Sequence, residues 1–203
     1  MTYDVLAALA LFALVTSITP GPNNLMLMAS GANFGLRRTV PHMLGVGLGF
    51  VAMALGVGLG LMQVFDAYPA AYDVLRAAGA VYMLHLAWKI ARAAPPEGGA
   101  AAGKPMSFLA ACAFQWVNVK AWAMAVTAVS LYAPSRTWQA VALVALVFGV
   151  VNLPSVSLWA VLGVQLRRWL GSPGRLRAFN WTMAALLVAS LWPMMDFQPS
   201  SAP

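Results

Sequence analysis

The residues best suited to chemistry lie in two places where polar side chains interrupt long apolar runs. The first interrupts the run 5–29 and reads Thr19-Pro20-Gly21-Pro22-Asn23-Asn24. Each proline lacks a backbone donor and clashes with the preceding helical turn, and the glycine lets the chain turn, so a continuous helix is disfavoured. Broken backbone at membrane depth is tolerated where it is buried in protein or lines a wetted cavity, and such half-helices hold the substrate in several transporter folds. The stretch therefore predicts a broken helix and a transport site. A packing kink is the alternative, but a kink needs only one proline and no buried amides.

The second place is Lys120, in the middle of the apolar run 107–131. It lies about a dozen residues from either end, roughly 18 Å along a helix, which is farther than a lysine stem can reach. A charge at that depth costs roughly 3 kcal/mol on insertion scales, so the ammonium is expected to face the interior of a helix bundle. We predict that Lys120 binds a substrate carboxylate or carries protons. Bracing of the bundle through backbone carbonyls is the alternative.

Further polar and aromatic side chains accompany these two places. Three- and four-residue spacings put four of them on helix faces adjoining Lys120, namely Gln115, Trp116, Asn118 and Trp122. An indole of this set is placed to lie against the ammonium. Asn152 precedes Pro154 in the run 138–166, where a structural kink and a site wall are equally good interpretations. His85 lies near mid-depth of the run 71–91, and a neutral histidine hydrogen-bonded between helices is favoured there over a proton carrier.

The composition identifies the class of protein. Of the 203 residues, 62% are hydrophobic and 8% are charged, which leaves too few polar side chains to coat a soluble globule. The formal charge of +7 comes from basic residues at the ends of apolar runs, so it fits membrane topology better than nucleic-acid binding. Paired intramembrane carboxylates, an HExxH motif and a cysteine pair are all missing from the sequence, where Cys112 stands alone, so neither an enzyme nor a metal or other cofactor site is predicted.

The apolar runs predict an all-α membrane protein with six transmembrane helices. They cover residues 5–29, 40–64, 71–91, 107–131, 138–166 and 178–195. The stretch 94–106, rich in proline and glycine, is predicted to link a first three-helix half, 1–93, to a second, 107–203, within one membrane domain. Because each half has an odd number of crossings, the two halves are expected to be related by inverted topology.

The distribution of basic residues predicts orientation. Nine of them fall in the first, third and fifth connections: Arg37, Arg38, Lys89, Arg92, Lys104, Arg167, Arg168, Arg175 and Arg177. The second and fourth connections have only Arg76 and Arg136. Cytoplasmic loops carry the excess of basic residues, so both termini are predicted on the non-cytoplasmic side.

Glycines in the second run have the spacing of a close-packing helix face. Gly45 and Gly49 are four residues apart, as are Gly56 and Gly60. Such a face serves helix packing within the protomer or a homodimer contact. We favour packing within the protomer, because the broken first helix needs a near neighbour to cover it.

Four stretches of the chain resemble the LysE/RhtB family of amino-acid exporters. They are residues 19–24, the entry to the second run at residues 35–38 with Gly45 and Gly49, the sequence GAVYMLHLAWKIAR at 79–92, and Asn118-x-Lys120-Ala121-Trp122. The resemblance covers nearly the whole chain and implies an inner-membrane exporter of amino acids or their derivatives, driven by the proton motive force. The family usually has proline between the asparagine and lysine of its fourth helix. Val119 stands there in this chain, which leaves open whether that helix breaks.

Together these observations predict an exporter that works by alternating access, with its site near the midplane between the first and fourth runs. The half-helix beginning near Pro22 would direct its amides at the substrate carboxylate, and Lys120 would be the second anchor. The head group would be hydrogen-bonded by Asn23, Asn24, Gln115 and Asn118, and the cavity shaped by Trp116 and Trp122. The alternatives are a passive channel, a non-transporting membrane subunit and, least favoured, a membrane-embedded enzyme.

Overall fold

The computed structural model describes residues 2–61, 63, 67–93, 103–135 and 137–192. These residues form eight α-helices and no β-strand, which confirms the all-α class. The helices are α1 (Tyr3–Ile18), α2 (Pro22–Phe34), α3 (Leu36–Gly56), α4 (Pro69–Ala91), α5 (Phe108–Gln115), α6 (Val119–Tyr132), α7 (Trp138–Arg167) and α8 (Pro173–Ala189). A π-helical turn, Val57–Leu61, extends α3.

The predicted apolar runs coincide with these helices, but two runs are bent pairs. Within the described residues, Leu36–Leu61 and Trp138–Arg167 are each long and apolar enough to cross a membrane. The pairs α1/α2 and α5/α6 pass the same test together, so two to four spans meet these criteria of length and composition. Most of the predicted linker 94–106 lies outside the described residues, as do Arg136 and the end of the run 178–195.

Four helix starts follow an ordinary sequence signal. The side chains of Thr2, Ser107, Thr137 and Ser172 each accept a hydrogen bond from the backbone N–H three residues later, at the starts of α1, α5, α7 and α8. Such caps satisfy donors that a helix leaves unpaired in its first turn. The other four helices have no side-chain cap, and they include α2 and α6, which begin at the bends.

Glycines bring helices of the two halves into backbone contact. A Cβ at Gly31 of α2 would collide with the carbonyl of Ala160 in α7, and one at Gly163 of α7 would collide with the carbonyl of Met28. The predicted close-packing face behaves similarly, since a Cβ at Gly49 would lie 2.6 Å from Cα of Cys112. That face is therefore used within the protomer, as favoured above. Its neighbour is α5 of the second half, however, and not the broken first helix.

The largest buried cluster surrounds the bends. It joins α1, α3, α6 and α7, and the rings of Phe50 and Phe148 meet in it at 5.0 Å between centroids. The outer face of α1 is apolar and exposed, with Leu11 at 62%. An apolar exterior around a packed core is what a lipid environment requires.

Candidate functional site

The predicted break of the first helix is confirmed. The chain bends by 56° between α1 and α2, which begins at Pro22. The carbonyl groups freed at the end of α1 are paired with side chains: Nδ2 of Asn24 donates to the carbonyls of Ser17 and Thr19, both at 2.8 Å, and Nε1 of Trp159 donates to that of Ile18 at 3.0 Å. The break is thus a fixed element whose backbone acceptors are satisfied.

The Lys120 side chain reaches this break from α6. Its Nζ donates to the carbonyl of Thr19 at 2.8 Å, to the hydroxyl of Thr19 at 3.0 Å and to the carbonyl of Pro20 at 3.4 Å. A Cβ at Gly21 would lie 2.8 Å from Cδ of Lys120, so the glycine makes room for the lysine stem. The ammonium therefore sits between the first and fourth predicted spans.

The fourth span is also broken, although it has no proline there. The bend between α5 and α6 is 62°. The backbone N–H groups of Trp116, Val117 and Asn118 bond three residues back, which tightens the end of α5. Asn118 is then extended, with φ −93° and ψ 99°, and α6 begins at Val119. Nε1 of Trp122 donates to the carbonyl of Trp116 at 2.9 Å and bridges the bend.

A small cavity lies between the two breaks. Its volume is about 20 Å³, room for about one water molecule, and its lining includes Gly21, Asn24, Asn118, Lys120 and Asn152. The side-chain oxygens of Asn118 and Asn152 are buried and have no hydrogen-bond partner. Buried acceptors are usually paired, so these two oxygens point to a missing donor.

Two helix N-termini meet at the same cavity. The first turn of a helix carries N–H groups without intrahelical partners, and its end has a partial positive charge. Because α2 and α6 lack side-chain caps, these donors remain open at Asn23 and Asn24 of α2 and at Lys120 of α6. Uncapped N-termini beside an ammonium form an environment suited to an anion.

The other predicted site residues connect helices around this cavity. Asn23 and Gln115 exchange two side-chain hydrogen bonds, at 2.8 and 3.2 Å, and Nε2 of Gln115 also donates to the carbonyl of Ala111. Nδ2 of Asn152 donates to the hydroxyl of Ser17 at 3.0 Å. The amide hydrogens of Asn24 and Gln115 are thus committed within the protein.

The two tryptophans lie together at the second break. Their rings are 6.2 Å apart between centroids in an edge-on arrangement. Cation–π contacts in the described part of the chain involve Arg38 and Arg92, and no indole covers the Lys120 ammonium there. The predicted contact between an indole and the Lys120 ammonium is absent from the described residues, and the Trp122 indole instead bridges the bend through its hydrogen bond to Trp116.

The structure does not bring His85 to the site. It lies on the exposed face of α4 and its ring stacks on Tyr82 at 6.3 Å between centroids. Val81 and Trp88, one turn to either side, are 68% and 54% exposed, so His85 belongs to an outward stripe. The expected placement between helices is wrong for this residue.

The sequence interpretation missed His42 of α3. It is 2% exposed, and neither ring nitrogen has a hydrogen-bond partner. His42 lines a cleft of about 660 Å³ between α2, α4 and the residues leading into α5. The spacing of His42 from the glycines could have revealed its burial. His42 precedes Gly45 by three residues and Gly49 by seven, so all three lie on the same face of the helix. No group of three or more histidine, cysteine or acidic side chains in the described ranges could hold a metal ion.

Comparison with known proteins agrees with the resemblance of the sequence. The model of the LysE type translocator family matches residues 14–190. The cysteine/O-acetylserine efflux protein of Escherichia coli K12 is 37% identical over 193 residues, which cover 93% of this chain and 96% of the relative. Its Shigella sonnei counterpart has the same identity and coverage. No solved structure matches the chain. These matches confirm the prediction of a translocator rather than an enzyme, and the chain belongs to the LysE type translocator family.

Proposed function

We propose that this protein exports small neutral amino acids or their derivatives from the cytoplasm and binds their head group between the two helix breaks. The observation that carries the proposal is the arrangement of the small cavity. Lys120 faces it together with two open helix N-termini, and two buried amide oxygens without donors line it. An amino-acid head group needs both, because its carboxylate binds donors and its ammonium binds acceptors.

The carboxylate would bind at the α2 and α6 N-termini. Lys120 now holds the carbonyls of Thr19 and Pro20, which are neutral acceptors. A carboxylate makes stronger, charge-assisted hydrogen bonds with an ammonium, so it would compete for Nζ. The N–H groups of Asn23 and Asn24 would add donors from the first turn of α2.

The substrate ammonium would bind the unpaired oxygens of Asn118 and Asn152. Asn118 directly precedes α6 and Asn152 lies in α7, so the second break and the following span would both contact the substrate ammonium. Donation from an ammonium would satisfy both oxygens. This gives Asn152 a role as a site wall.

The proposed substrate class follows from the cavity and the relatives. Beside the head-group partners, the lining consists of apolar side chains such as Phe50, Met124 and Val156, and Lys120 is its charged member. A cationic substrate side chain would be repelled by Lys120, whereas a short neutral one fits the apolar wall. The relatives are named for the efflux of cysteine and O-acetylserine, which are of this kind.

Alternating access is supported by the position of the breaks. One break lies in the first span of each predicted half, and the bends are similar, 56° and 62°. Corresponding discontinuous helices are the usual sign of inverted repeats around a midplane site. The cavity is too small for an amino acid, so transport requires the half-helices to separate. Thr19 and Pro20 are exposed, and irregular backbone at that depth must face water or protein rather than lipid.

Topology and coupling complete the proposal. The excess of basic residues in the odd-numbered connections supports a topology with both termini on the non-cytoplasmic side of the inner membrane. Lys120 is the proposed proton-coupling group, because release of the carboxylate and deprotonation of the ammonium can be linked. A homodimer would have to use a face other than Gly45 and Gly49, which are occupied within the protomer.

The test is efflux from proteoliposomes loaded with a mixture of the twenty amino acids and O-acetylserine. We expect O-acetylserine and small neutral amino acids to leave faster with an imposed proton gradient. Lys120→Ala should reduce this efflux by about 10- to 100-fold, the effect of losing a hydrogen bond between charged groups. Arg177→Ala, an exposed change at the start of α8, is the matched control and should export normally. Flux that is independent of the gradient would favour a channel, and no flux of any species would favour a non-transporting subunit.

A further inference from the structure

The cleft that contains His42 has no role in the head-group site, yet it leads toward it. It extends along α2 from Phe34 at one end to Met26 at the other. Met26 is four residues from Pro22, or about 6 Å along the helix, so the deep end of the cleft lies one turn from the first break. Met26, Phe114 and Val119 pack in one buried cluster beside the second break. The cleft therefore opens at the predicted cytoplasmic end and stops close to the head-group site.

The cleft has the chemistry of a site for a carboxylate group. Lys89, Arg92 and Lys104 line it, and its described lining contains no acidic residue. The guanidinium of Arg92 is held over the Trp88 ring at 4.5 Å. Cations at the mouth of a low-dielectric cleft attract a carboxylate group. The deeper wall is apolar, with Met26, Leu86 and Met106, and would accommodate a short side chain.

His42 supplies the specific group inside this cleft. His42 is 2% exposed, and both of its ring nitrogens lack a partner although the residue belongs to a wall that includes polar side chains. The nearby amides do not serve it, because Asn33 and Asn180 are paired with each other at 2.7 and 3.0 Å. Ser30 is paired with Thr39 at 2.9 Å. An unpaired buried imidazole between neighbours that are themselves paired indicates a partner supplied by an occupant.

We propose that the cleft is a loading site, separate from the head-group site, in which His42 hydrogen-bonds the carboxylate of the cargo. This inference rests on the proposed export function, because it takes the same small neutral amino acids as the occupant. The cargo would bind first at the basic mouth and at His42. It would pass to Lys120 when Met26 and its neighbours move apart.

The test measures protection of a cysteine placed in the cleft. Ala110 lines the cleft at the start of α5, so Ala110→Cys is made in a Cys112→Ala background and labelled with a small maleimide in detergent. O-acetylserine should slow the labelling, and its carboxamide analogue should not. Ser172→Cys, exposed at the α8 N-terminus, is the control and should label at the same rate with and without O-acetylserine.

Two further variants separate this inference from the proposed function. His42→Phe keeps a ring of similar size, removes two unpaired nitrogens and is expected to fold; it should weaken protection by about 10-fold or more. His42→Gln, which retains a donor, should restore part of it. Lys120→Ala should keep the protection while export is lost.

Several outcomes would overturn the loading site. They are absence of protection in the wild-type background, full protection in His42→Phe, equal protection by the carboxamide, and loss of protection in Lys120→Ala. In each case export by the wild-type protein is measured in parallel. Normal export would then leave the proposed function standing, whereas protection without export would overturn that function and leave the cleft as a binding site.

Discussion

The two helix breaks reach similar geometry by different means. The first contains Pro20 and Pro22, and its freed carbonyls are held by side chains from α2, α6 and α7. The second contains no proline, tightens its own last turn and is bridged by Trp122 from the next helix. The first break is therefore stabilised by both local and long-range contacts, and the second by local ones. The second break therefore does not depend on proline.

The comparison also separates two asparagines that look alike in the sequence. The Asn24 amide is fully engaged with the backbone of the first break. The Asn118 oxygen, at the second break, is buried and unpaired. We therefore expect Asn24 to stabilise the first break and Asn118 to bind the ligand.

The largest expected effect is on stability, from Asn24→Ala. The buried carbonyl of Ser17 would lose its donor, which costs about 1–3 kcal/mol. The carbonyl of Thr19 would keep its hydrogen bond from the Lys120 ammonium. Thermal unfolding in detergent should show a clear loss of stability relative to the wild type. Equal stability of Asn24→Ala and the wild type would mean that the first break does not need these contacts.

Asn118→Ala should have the next largest effect, on transport. Removal of an unpaired buried oxygen is nearly neutral for folding, but one acceptor for the substrate ammonium would be lost. Efflux at low substrate concentration should fall by about 10-fold, or about 1.4 kcal/mol, with the thermal transition unchanged. Normal efflux would remove Asn118 from the proposed head-group site.

Trp122→Phe tests the local bridge of the second break. The carbonyl of Trp116 would lose its donor, at a cost of about 1 kcal/mol, because the position is only partly buried. Unfolding measurements should place this variant between Asn24→Ala and the wild type. A loss as large as that of Asn24→Ala would show that the two breaks are equally dependent on side-chain donors.

Val119→Pro should have the smallest effect. Val119 is the first residue of α6, where proline is favoured, and the extended Asn118 suits a residue before proline. Stability should change by less than about 1 kcal/mol and export should persist. Ala125→Pro, in the buried interior of α6, is the contrast and should cost about 3 kcal/mol or more. Loss of function in Val119→Pro would show that this chain requires valine at the break.

Much of the site was predictable because its residues are chemically unusual for an apolar run. Lys120 could not reach either interface, which pointed to the interior of the bundle, and the paired prolines could not continue a helix, which pointed to a break. The role of individual amides was not predictable, since Asn23, Asn24 and Asn118 differ only in which partners the packing brings to them. His85 is exposed although it was expected between helices, and the buried His42 was missed, because depth along a helix does not say which face is buried.

The sequence by itself determined the membrane class, the helical segments, the first break and the family resemblance. These follow from composition, run length and backbone chemistry, which act locally. Only the tertiary structure decided that the fourth run breaks without proline, that Lys120 binds the end of α1 and that two amide oxygens stay unpaired. The contact of Lys120 joins residues about a hundred positions apart, and a hydrogen bond has no direction until both of its groups have been positioned.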